Sequence, residues 1–137
     1  MVGDISIAEH IYIACGKTDM RKSIDGLAAL VQSQYHLDPF SKSIFLFCGG
    51  KCDRIKILLW EGDGFVLLYK RLESGRFRWP RNASEVKPLS WNQFTWLMQG
   101  LDIEIMYHST IHCKGNENTL QNKINSFNFS QKRVRKA

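Results

Sequence analysis

The chain has no apolar run of membrane-spanning length and no N-terminal segment of signal-peptide form. The expected compartment is therefore the cytoplasm, and the four cysteines (Cys15, Cys48, Cys52 and Cys113) are expected to be reduced thiols. Clustered carboxylates of the kind that hold two metal ions in a nuclease are also missing. Asp19 and Asp25 stand six residues apart, which does not stack them on one helix face. Asp53, Glu61, Asp63 and Glu73 fall in or beside turns. No serine, histidine and acid arrangement is legible, and Gly49-Gly50-Lys51 is too short for a phosphate loop. These absences argue against an enzyme, a cofactor and a small-molecule substrate. There is no internal repeat.

Cys48-x3-Cys52 and His108-x3-His112 superficially have zinc-ligand spacing, but 55 residues separate the two halves. Ordinary thiols are the simpler reading, and no metal is expected.

What is present is a globular composition: 44% hydrophobic and 12% aromatic over 137 residues, enough for one domain with a core. The net charge is +6 and the pI about 9.3, which favours an anionic partner, nucleic acid being the commonest. The charge is uneven. Residues 1–50 carry four Lys/Arg against five Asp/Glu, residues 51–81 eight against four, residues 82–107 one against three, and residues 108–137 six against one.

Residues 5–14 are Ile-rich and alternate loosely, as a strand does. Thr18 or Asp19 can cap a helix carrying Met20, Ile24, Leu27, Leu30, Val31 and Tyr35 at helical spacing. That helix should stop before Asp38-Pro39. Residues 43–47, 54–60, 65–72 and 76–79 read as strands, with turns at Glu61-Gly62-Asp63-Gly64 and Ser74-Gly75. Ser90 and Gln93 form a capping box for a second helix with an apolar stripe of Trp91, Phe94, Leu97 and Met98, ended by Gly100. The pattern predicts a single α+β domain over 1–107. It is an antiparallel β-meander of about four to five strands with two main α-helices on its apolar face. Residues 108–137 read as a basic, Asn-rich tail with little structure of its own.

Alternation assigns faces to the meander. Ile55, Ile57, Leu59, Val66, Leu68, Leu72, Phe77 and Trp79 form a core face, with Lys70 its one charged member. Arg54, Lys56, Tyr69, Arg71, Arg76 and Arg78 share the other face, with Leu58, Trp60, Phe65 and Leu67 nearer the first turn. Cations with a tyrosine on one sheet face suit phosphate contact and stacking. A solvated face, charged for solubility, has the same pattern. Trp60 and Phe65, flanking the turn, are candidate contacts for a protein or nucleic-acid partner.

From about Ile11 to Asp102 the chain resembles the TnpB accessory proteins, the second open reading frame of the large bacterial insertion-sequence family sixty-six. The carrying motifs are Thr18-Asp19-Met20-Arg21-Lys22 with Asp25-Gly26-Leu27, Asp53-Arg54-Ile55-Lys56, and Trp60-Glu61-Gly62-Asp63-Gly64-Phe65. Lys70-Arg71-Leu72-Glu73 and Gly75-Arg76-Phe77-Arg78-Trp79-Pro80 complete them. The resemblance implies a non-enzymatic protein that assists a separate transposase, with DNA, in particular the element ends, as an expected partner. It nominates Arg21, Lys22, Arg54, Lys56, Lys70, Arg71, Arg76 and Arg78 as the functional surface. Two departures stand out: the turn before Asp53, usually richer in arginine, is Cys-Gly-Gly-Lys-Cys here, and the segment after Asp102 is not the usual short basic ending.

Overall fold

The computed structural model describes residues 2–81 and 85–103. The 108–137 tail, with His108, His112 and Cys113, lies outside the described residues.

Five strands form one sheet: β1 (His10–Ala14), β2 (Ser43–Cys48), β3 (Arg54–Trp60), β4 (Phe65–Arg71) and β5 (Val86–Leu89). The order across the sheet is β4-β3-β2-β1-β5. β2, β3 and β4 are the expected antiparallel meander, and the single α+β domain is as predicted. β1 joins it differently: it runs parallel to β2, and helix α1 (Ile24–Ser33) makes the crossover between them. Residues 5–7, expected as strand, form a single 3-10 turn with Asp4 at its start.

The two helices do not share a face. α1 puts Leu27 and Val31 against Phe45, Phe47 and Leu58. α2 (Trp91–Met98) puts Phe94 and Leu97 into the opposite core, with Ile13, Ile44, Leu46, Ile55 and Leu59. The reason lies in β2, whose six residues are all buried. Such a strand has no polar face to give to water, so it needs a layer on each side.

Three further differences have local causes. α1 starts at Ile24, after Ser23, so Thr18 and Asp19 do not cap it. Asp19 instead accepts from the Arg21 backbone N–H at 2.9 Å, closing a turn, while the buried Thr18 donates its N–H to Cys48 O at 2.8 Å. Residues 76–79, expected as a strand, form none. Beside β4 their apolar side would lie at an open sheet edge; instead Phe77 and Trp79 turn under the sheet and are buried. The fifth strand comes from Val86–Leu89, hidden in the sequence by Pro88, which an edge strand tolerates. The second capping box is present as read: Ser90 Oγ accepts from Gln93 N at 3.1 Å and Gln93 Oε1 from Ser90 N at 2.9 Å.

Candidate functional site: a cationic end of the sheet

β1 and β2 finish at the same end of the sheet where β3 begins and β4 finishes. The connections that leave this end are residues 15–23, 49–53 and 72–85. Between them and the strand ends beside them, residues 15–23, 49–56 and 70–81 carry eleven Lys/Arg and three Asp/Glu. The opposite end is the reverse. Residues 2–10, 38–42 and 60–65 carry five acids and one lysine.

The β3–β4 register has Arg54 opposite Arg71, Lys56 opposite Tyr69, Leu58 opposite Leu67 and Trp60 opposite Phe65. The face assigned to these residues from alternation is the face they occupy. α1 covers only its Leu58, Leu67 and Phe65 half. Arg54, Lys56, Tyr69 and Arg71 lie beyond the start of the helix, and Tyr69 is half exposed at 51%. Lys70 pairs with Ile55 and so falls on the other face, as read. Arg76 and Arg78 alternate with buried Phe77 and Trp79 and are exposed, but they are not on the meander face. They line a hollow on the α2 side, together with Asp102 and Ile103.

The cations are not equivalent. The Lys56 ammonium donates to the carbonyls of Met20 and Lys22, each at 2.8 Å, and pins the loop that feeds α1. Its ammonium also stands 5.8 Å from the Tyr69 ring centroid. Arg21 is paired with Asp19 at 2.9 Å on an open surface, and this neighbour holds the Asp19 carboxyl at about 2. Arg54 is paired with Asp53 at 3.0 Å, which lowers the pKa of the aspartate and raises that of the arginine. Arg71 reaches Glu73 at 3.3 Å. Lys22, Lys70, Arg76 and Arg78 make no ion pair among the described residues and are exposed.

Three adjoining hollows run along this end. The first, of 560 Å³, holds Arg76, Arg78 and Arg81 around Cys52, Phe77 and Trp79. The middle one, of 200 Å³, shares Cys52, Trp79 and Arg81 with it and adds Gly16, Lys17, Gly49 and Gly50. The third, of 460 Å³, shares Lys17, Gly49 and Gly50 and ends at Asp19, Lys51, Asp53 and Arg54. Lys17 and Arg81 carry no motif in the sequence, and Lys51 stands there only in a glycine pair too short for a phosphate loop. A cation beside a glycine at the end of a strand (Gly16-Lys17, Gly50-Lys51) is the signal that marks Lys17 and Lys51.

The framework of these hollows is buried. The Trp79 indole N–H donates to Ala14 O at 2.8 Å, Phe77 N to Cys52 O at 2.7 Å and Gly16 N to Pro80 O at 2.8 Å. Gly49 has no room for a side chain: a Cβ there would stand 2.7 Å from Met20 Cγ. Cys52 takes a left-handed φ of 56°, and the Arg81 guanidinium donates to its sulfur at 3.8 Å. Cys15, Cys48 and Cys52 are buried thiols that form no disulfide among the described residues. Burial, then the neighbouring Cys52, pushes Cys48 up to about 12, so it is a protonated thiol. No group of three or more metal-ligating side chains occurs among the described residues. No described helix is long and apolar enough to cross a membrane.

Trp60 and Phe65 sit at the other end of the sheet. With Phe40 they form a cluster of three rings whose centroids are 4.9–5.2 Å apart. Phe40 is 51% exposed, and the sequence reading had passed it over.

Fold and site together define a small α+β domain whose cations converge on one end of a mixed sheet. The family model described as IS66 Orf2 like protein matches residues 9–108, and the chain belongs to that family. Two proteins of Sinorhizobium fredii are similar to it. The uncharacterized protein y4jC is 38% identical over 93 residues, which is 68% of this chain and 80% of the relative. The uncharacterized protein y4hO is 36% identical over 93 residues, covering 68% and 81%. No solved structure matches.

Proposed function

We propose that this protein is a non-enzymatic accessory of insertion-sequence transposition that binds DNA through the cationic end of its sheet and so assists a separate transposase. Membership of the Orf2 family supports the transposition context. The observation that carries the DNA reading is the convergence of eleven Lys/Arg, from three connections and the strand ends beside them, against three acids, on one end of one sheet. Each exposed cation near a phosphate releases a condensed counterion, so such a surface attracts nucleic acid in a salt-dependent way. The test is a titration of the 137-residue protein with element-end duplex, random duplex and single strands, at low and physiological salt. Arg54→Glu and Arg76→Glu should each weaken binding, most visibly at low salt. Binding that survives both changes sinks the surface assignment.

A second reading rests on the Phe40, Trp60 and Phe65 rings. Exposed aromatic clusters are typical anchors of protein interfaces, and this one lies at the end of the sheet away from the cations. In this reading that end holds the transposase of the same element. Co-purification of the two proteins should be lost in Phe40→Ser and kept in Arg76→Glu. The folded domain of this proposal spans 1–107, with 108–137 adding basic charge to it.

A further inference from the structure

We infer that the three adjoining hollows form one track for a single nucleic-acid strand. The inference rests on the DNA-binding reading above and names the form of DNA it takes. A duplex is too wide and stiff to follow a narrow path, whereas a single strand can thread along it. Here the exposed cations sit on the walls of a concave path. It runs from Arg76 and Arg78, past Arg81 and Lys17, to Lys51. Hollows of 560, 200 and 460 Å³ are of the size of individual nucleotides.

The flat alternative is already engaged. On the meander face Lys56 is spent on the Met20 and Lys22 carbonyls, and Arg54 and Arg71 have carboxylate partners. Along the track, Arg76 and Arg78 have no hydrogen bond or ion pair among the described residues, and both are exposed. They flank Phe77, whose side chain is buried, and both face outward. The segment is held in place by Phe77 N donating to Cys52 O and by the Trp79 indole N–H donating to Ala14 O. Arginine is suited to the task, since its planar guanidinium grips two phosphate oxygens at once.

The aromatic side chains under the track are buried, Phe77 at 3% and Trp79 at 6% exposed. They are not free to stack on bases. The track therefore reads the sugar-phosphate backbone and carries little base preference.

Fluorescence anisotropy of the full chain with a labelled oligothymidine strand and with a mixed-sequence single strand and its duplex tests this. The single strands should bind about tenfold tighter than the duplex at equal salt, and with similar affinity to each other. The Arg76→Gln/Arg78→Gln double variant should lose about tenfold on the single strands, with the slope of log K against log salt shallower by about one and a half. Its circular dichroism and thermal midpoint should match wild type, because both side chains are exposed. Tighter binding to the duplex, or a double variant that binds single strands unchanged, overturns the track while leaving DNA binding in place. No binding to any DNA overturns both.

Discussion

The two ends of the sheet are built from the same strands and differ in almost everything else. One end gathers eleven cations against three acids and is hollowed. The other gathers five acids against one lysine and carries a ring cluster in which Phe40 is exposed. The contrast follows from topology. The parallel β1–β2 pair sends both its outgoing connections to one end, and β4 brings one more segment to it. The helix α1 returns the chain to the far end, where Asp38, Glu61 and Asp63 lie. A protein polarised in this way presents a polyanion with one attractive end and one repulsive end.

The division can be broken most severely at Trp79. Trp79→Ala empties a buried site and removes a hydrogen bond to Ala14 O, so urea denaturation should show a loss of about 3–5 kcal/mol. Because Trp79 lies under the track, nucleic-acid binding should fall with it, whereas the aromatic end keeps its own contacts.

A smaller change separates cations that hold the fold from cations that face outward. Lys56→Met strands the Met20 and Lys22 carbonyls and should cost about 2 kcal/mol in the same assay. Lys51→Met, at an exposed loop position, should leave stability unchanged and weaken DNA binding. If the two variants behave alike, the distinction between structural and binding cations fails.

Phe40→Ala tests the other end. It removes one ring of three, half exposed, and should cost about 1 kcal/mol with no change in DNA affinity. A loss of DNA affinity would mean the two ends are not independent.

The smallest effect at neutral pH concerns Cys48. Its thiol is raised from the ordinary 9.0 to about 12, so the folded state keeps a proton that the unfolded chain releases. Stability from this group is fully present below pH 9 and is lost as pH rises from 9 toward 12. Thermal midpoints of wild type should fall more steeply over that range than those of Cys48→Ala. Parallel curves would contradict the burial.

Much of this was legible from residues alone. The meander register, the face shared by Arg54, Lys56, Tyr69 and Arg71, and the Ser90–Gln93 capping box depend on alternation and on contacts within a few residues. The parallel β1–β2 pairing was not legible, because a strand pattern does not say which neighbour it takes. Nor was β5, where Pro88 masks a strand that only an edge position allows. The Arg76–Trp79 segment shows how local and global signals part: its alternation is real, but the side chains are buried by the core and not by a sheet partner.

Motif spacing and the period of a strand carry the family, the α+β class and which side chains alternate. Which cations meet depends on the fold. Lys17, Lys51 and Arg81 come from three separate connections, and no local pattern links them. They converge because a parallel pair sends its connections to one end of the sheet, and because Trp79 is buried beneath them.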